Sequence, residues 1–233
     1  MQLDARELLA FYETPMGQVA RRIILRRLRH LWPATDRHRV LGYGFAVPYL
    51  RAFQIEAERT ISVMPAQQGV VRWPDGRSLS VLVEEDALPF PDAMFDRVLV
   101  IHGLEGADAL RPLMRQLWRV LAPEGRMLVV APNRTSLWAQ IERSPFAHGR
   151  PFHRGELDRL LRAAMFEPLR WDSALYGPPM GRRLMRTGTG WERVGRKLWP
   201  ALGGVHLVEA SKSLYAPMPV KAKTIAEPAL ARA

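Results

Sequence analysis

From Arg39 onward, short apolar runs alternate with longer helical stretches, and this alternation restricts the chain to repeated strand–helix–strand units around a largely parallel sheet. The apolar runs predict strands at Arg39 to Tyr43, Thr60 to Met64, Leu79 to Val83, Arg97 to Ile101, Arg126 to Ala131, Pro168 to Asp172 and Val205 to Ala210. The expected architecture is a mostly parallel, seven-stranded sheet with helices on both faces. The clearest helix is Leu110 to Leu121, with Leu113, Leu117, Val120 and Leu121 on one side and Pro123, Glu124 and Gly125 as its stop before the next strand. A second spans Gly155 to Ala164. Two stretches break the rhythm. Between Pro65 and Ser78, Gly69, Pro74 and Gly76 argue for a truncated crossover, with Trp73 to Gly76 as a tight turn. From Met180 to Trp199 six basic residues face the single acid Glu192, and Gly188 to Gly190 should interrupt any helix, which reads as a basic insertion.

Ahead of the alternation stand two helices. The first runs from Leu3 to Tyr12; the second starts at Thr14 and Pro15, a capping residue followed by a first-turn proline, and ends before Pro33. In the second, Met16, Val19, Ala20, Ile23, Ile24, Leu28 and Leu31 form an apolar face, while Arg21, Arg22, Arg26 and Arg29 fall largely between them. Three segments are therefore expected: residues 1–36, N-terminal and helical; residues 37–214, the α/β domain with the basic insertion near 180–200; and residues 215–233, a flexible tail rich in proline and small residues.

Composition narrows the chemistry. The 233 residues include no cysteine, which excludes disulfides, zinc-thiolate sites and cysteine nucleophiles. No apolar run reaches the roughly 18 residues of a spanning helix, and Asp4 and Glu7 stand where a signal peptide is basic and then apolar, so a cytoplasmic protein is expected. Lys and Arg exceed Asp and Glu by 34 to 23, a net charge of +11. Such an excess suits a solubilising surface, or an anionic partner such as RNA, another protein or a membrane surface. The aromatic and basic mixture WERVGRKLW, Trp191 to Trp199, suits nucleic acid or a lipid interface, with core packing of its tryptophans as the simpler expectation.

Four phrases carry a more specific signal: RVLGYGFAVPYL at Arg39 to Leu50, EEDALPFPDAMFDRVLVIHGLE at Glu84 to Glu105, LWRVLAPEGRMLVVAPNR at Leu117 to Arg134, and SPFAHGRPF at Ser144 to Phe152. In this order they resemble class I methyltransferases that use S-adenosylmethionine, closest to the group called type 11, over most of Val40 to Ser211. The resemblance implies a Rossmann-like fold, S-adenosylmethionine as cofactor and methyl transfer to an unidentified acceptor. It implies that Gly42, Tyr43 and Gly44 of the first strand's end contact the cofactor. It also implies that Asp86 and Ala87 contact the adenine, that the segment His102 to Glu105 lies beside the transferred methyl, and that His148, Arg150 and Phe152 lie toward the substrate. Physically, ligands of open parallel sheets bind beyond the carboxyl ends of strands where the strand order reverses, and Asp86 and His102 both follow strands. His102 is the candidate general base, since imidazole titrates near neutrality.

The chain departs from that family at two places. The first strand keeps one of the family's glycines, Gly44, and has Ala46 and Pro48 where others stand; the second strand ends in Met64 and Pro65 instead of a ribose-binding acid, leaving Gln67 and Gln68 as neutral substitutes. The alternative is accordingly a methyltransferase-like binding protein without catalysis. Val47 in place of the third glycine weakens a dinucleotide fingerprint, and no phosphate loop or nucleophile elbow is present. His148 and His153 lack the further ligands a metal needs, so no metal is expected.

Overall fold

The computed structural model describes residues 3–74, 76, 78–179 and 188–214. Its centre is a seven-stranded sheet built from β1 (Arg39–Gly44), β2 (Arg59–Pro65), β3 (Ser80–Val83), β4 (Phe95–Ile101), β5 (Leu121–Pro132), β6 (Phe166–Ala174) and β7 (Val205–Lys212). The order is β3-β2-β1-β4-β5-β7-β6, with β7 antiparallel to both neighbours and the remaining pairs parallel. The order reverses between β1 and β4, which places a crevice at their carboxyl ends.

Among the described residues six α-helices accompany the sheet: α1 (Ala5–Glu13), α2 (Pro15–Leu31), α3 (Val47–Gln54), α4 (Leu110–Val120), α5 (Arg154–Ala163) and α6 (Gly188–Leu198). Side-chain alternation along the strands supplies two apolar layers. Leu99 and Ile101 of β4 point into one, with Ile24 and Leu28 of α2 and Tyr49 and Phe53 of α3; Val98 and Val100 point into the other, with Leu113 and Leu117 of α4 and Leu157 and Leu161 of α5. Local signals set the helix starts. Asp4 and Glu7 form a capping box on α1, and the Thr14 hydroxyl accepts from the Gly17 amide at the start of α2.

The expected strands and long helices all appear, and among the described residues only a short 3₁₀ turn, Ala66–Gln68, stands between β2 and β3. Three expectations are corrected. Pro123 to Gly125 do not separate α4 from the next strand: β5 starts at Leu121, which pairs with Phe95, and a register shift before the Arg97–Arg126 pair absorbs the extra residues. Gly188 to Gly190 do not interrupt a helix but begin α6, where the first amides lack intrahelical partners in any case. Trp199 is not a core residue but 52% exposed. The expected tail falls outside the described residues.

Candidate active site

The crevice between β1 and β4 is built from backbone in close contact. Gly44 ends β1 at φ 77°, and a Cβ there would stand 2.3 Å from the Ile101 carbonyl oxygen and 2.9 Å from Gly103. Only glycine permits that approach. Gly42 serves another purpose, since a Cβ there would lie 2.6 Å from Leu50 and its absence seats α3 on the strand. Tyr43 points into the opposite layer and is fully buried; burial, with the Glu85 carboxylate nearby, pushes its pKa up. Asp86 and Ala87 lie in the exposed turn after β3, where Ala87 bridges back to Glu84.

His102 follows β4 directly, with φ 51° in the left-handed region. Its buried ring connects elements far apart in sequence. Nε2 lies 2.8 Å from the Tyr12 hydroxyl of α1, and Nδ1 lies 3.1 Å from Glu105 Oε1. The Tyr49 hydroxyl donates to Tyr12 across 2.9 Å. An ionised carboxylate can only accept, so Glu105 pairs with Nδ1–H, and in the tautomer this favours, Nε2 accepts from the Tyr12 hydroxyl while that hydroxyl accepts from Tyr49. Tyr49–Tyr12–His102–Glu105 is thus a polarised chain of hydrogen bonds. Burial pushes the pKa of both tyrosines up, so both hold their protons at neutral pH. Aromatic rings enclose the chain: Tyr12 stacks on Phe45 at 6.1 Å, and His102 lies tilted against Phe146 at 5.0 Å.

The same elements close the crevice. Gln68, in the turn after β2, donates to the His102 carbonyl oxygen at 2.7 Å, and the Arg150 amide donates to the Glu105 carbonyl oxygen at 2.7 Å. Gln67 is exposed. What remains is a cavity of about 20 Å³ lined by Gln68, His102, Glu105 and His148 with Leu8 of α1. Gln68 and Glu105 each keep one buried oxygen without a hydrogen-bond partner among the described residues. Two unpaired acceptors beside a space for about one water are suited to polar ligand groups, but sites for small molecules span about 300–1,000 Å³. This cavity by itself is far smaller than S-adenosylmethionine.

Among the expected site residues, the fold brings Gly44 and His102 together at the β1–β4 crevice. Gly42 and Tyr43 serve packing in this arrangement, and Asp86 and Ala87 lie exposed after β3. Phe152 is buried against Pro132, its amide donating to that carbonyl oxygen, and His148 holds its own loop through Ser144. No group of three metal-ligating side chains occurs among the described residues. Sequence reasoning missed Tyr12 and Tyr49, whose only signal is an apolar helix face that gives no hint of a hydroxyl partner.

Residues 42–129 match the family model of a methyltransferase domain. The sheet that carries this match is superposable on solved methyltransferases. An S-adenosylmethionine-dependent methyltransferase of Archaeoglobus fulgidus aligns at TM-score 0.62 and 21% identity, covering 88% of this chain and 99% of that one. The chain has the class I methyltransferase fold. A Burkholderia thailandensis 1,6-didemethyltoxoflavin N1-methyltransferase, solved with bound 1,6-didemethyltoxoflavin and S-adenosylhomocysteine, shares this fold at TM-score 0.53 and 18% identity over 86% of this chain and 79% of that one. Sequence likeness to curated proteins is shorter. The demethylmenaquinone methyltransferase of Thermus thermophilus is 34% identical over 91 residues, 39% of this chain and 35% of that protein. A ubiquinone/menaquinone biosynthesis C-methyltransferase of a Marinomonas species is 37% identical over 65 residues, 28% of this chain and 24% of that protein. The matched stretch thus spans between about a quarter and a third of these relatives.

Proposed function

We propose that the chain is an S-adenosylmethionine-dependent methyltransferase whose cofactor crevice is closed by α1 and opens when α1 withdraws. The observation that carries this reading is the coincidence of the methyltransferase-domain match with the β1–β4 reversal point, where Gly44 permits close backbone approach and His102 stands at the strand end. Withdrawing α1 removes Tyr12 from both Phe45 and His102, and exposes the unpaired oxygens of Gln68 and Glu105. S-adenosylmethionine, when bound, supplies the methyl group; the acceptor is of unassigned class.

In this reading the chain's own contribution is a prepared base. Glu105 keeps the His102 proton on Nδ1, so Nε2 is free to hold a proton once Tyr12 has left. Asp86, exposed beyond β3, is the proposed acceptor for the adenine amino group, with Ala87 completing the contact. Titration calorimetry with S-adenosylhomocysteine on the wild type and on Asp86→Ala tests the proposal. Weak binding, further weakened by the substitution, is expected. Absence of heat at millimolar ligand in folded protein would retire the enzymatic reading in favour of a non-catalytic one.

A further inference from the structure

Exposed large apolar side chains gather at one place on this surface. Val194 and Leu198 of α6, Trp199 and Leu202 just after it, and Leu137 beside them are each 47% to 58% exposed. Such clusters on a soluble protein mark an interaction site. We propose that α6 and the turn after it, Pro200–Leu202, dock this protein on an anionic lipid surface.

The helix is fixed with its apolar stripe outward. Glu192 faces inward, buried, and accepts from the Tyr176 amide at 2.7 Å. Gly195 lies against the same residue, since a Cβ there would meet Tyr176 at 2.5 Å. One helical turn separates Val194 from Leu198 on the outward side, and Arg193 and Lys197 repeat the same spacing on the adjoining stripe. Arg193, Arg196 and Lys197 are exposed and make no ion pair or hydrogen bond with the described residues. In sequence, Arg182, Arg183 and Arg186 precede the helix. The wall of a cavity of about 270 Å³, formed by Trp138, Tyr176, Trp199 and Leu202, adjoins the stripe.

An apolar stripe with a tryptophan at its end and unpaired cations alongside is the arrangement that lies in a bilayer interface, side chains in the acyl boundary and cations at the headgroups. Charge identifies the surface as anionic, and the aliphatic stripe favours lipid over RNA, whose bases stack on aromatic rings and have no use for Val194 and Leu198. No helix among the described residues is long and apolar enough to cross a membrane.

The test is co-sedimentation with vesicles of phosphatidylcholine, with and without about a third of phosphatidylglycerol, from low to physiological salt. Wild-type protein is expected to bind the anionic vesicles, more weakly as salt rises, and not the neutral ones. Leu198→Ser with Trp199→Ser should lower partitioning about tenfold or more, and Arg193→Gln with Lys197→Gln should remove most of the salt dependence. Arg21→Gln, Arg22→Gln and Arg26→Gln together, on the exposed side of α2, should change binding little. Circular dichroism confirms that each variant is folded. No binding of wild type to anionic vesicles at low salt, equal loss in the α2 variant, or unchanged binding in both α6 variants would overturn the proposal. So would apolar-stripe variants that bind vesicles normally but lose a protein or RNA ligand.

Discussion

Replacing Tyr12 by Phe removes one oxygen from the centre of the buried hydrogen-bond chain and leaves the aromatic packing in place. With α1 seated, the Tyr49 hydroxyl then loses its acceptor and His102 Nε2 loses its donor, both in buried surroundings. Leaving each such group unpaired costs about 1–3 kcal/mol, so about 2–6 kcal/mol for the two. Only the closed arrangement bears this cost, because water satisfies both groups once α1 has withdrawn. While the open form is the minor one, its fraction therefore rises by at least about 30-fold. A ligand that binds only the open form has an apparent dissociation constant inversely proportional to that fraction, so S-adenosylhomocysteine should bind Tyr12→Phe tighter by the same factor. Thermal stability should move the other way, falling by about 2–4 °C per kcal/mol for a chain of this size. Calorimetric titration and a melting curve on the same preparations measure both quantities. A lower melting temperature with unchanged affinity would refute the reasoning, since it would show that the Tyr12 contacts stabilise the fold without guarding the crevice.

Other substitutions separate binding from packing. Asp86→Ala, in an exposed turn, should alter stability by less than about 0.5 kcal/mol while weakening S-adenosylhomocysteine binding; a large loss of stability would contradict its assignment to the ligand. Gly44→Ala combines a positive φ with a Cβ 2.3 Å from the Ile101 oxygen and should cost more than about 2 kcal/mol in urea unfolding, whereas a neutral effect would show that the β1–β4 contact is looser than described. His206, buried in β7 and near Arg154, has its pKa pushed down to about 4, chiefly by burial. Its folded-state pKa lies below the unfolded value of about 6.5, so its share of stability is complete above about pH 6.5 and is lost as pH falls through about 4, by up to about 3 kcal/mol. His206→Leu should flatten stability over that range; an unchanged acid limb would place the loss elsewhere.

The sheet was legible because each strand is a short apolar run between turn residues, and helix starts such as Thr14–Pro15 carry a local chemical signature. The β5 start was not, because Pro123 and Gly125 are turn residues by local preference and only the pairing of Leu121 with Phe95 overrides them. Gly188 to Gly190 misled in the same way, since the cost of glycine applies to a helix interior and these residues begin one. The placement of His102 and Gly44 at the β1–β4 crevice was legible through the motif order. The closed crevice was not: Tyr12 and His102 are 90 residues apart, and nothing in the pattern LLAFYE distinguishes a tyrosine that packs in a core from one that bonds an imidazole.

Thr14 ends α1 and begins α2 in a single residue, its hydroxyl donating to the Phe11 carbonyl oxygen while accepting from the Gly17 amide. Tyr12 is therefore a ligand on a tether with almost no slack, and its local concentration at the crevice is set by the elbow. Any cofactor meets a covalently attached competitor that cannot be diluted away. Diluting the protein leaves the contest unchanged, raising the cofactor concentration shifts it, and flexible residues inserted at Thr14 would weaken the tethered rival without touching a single residue of the crevice.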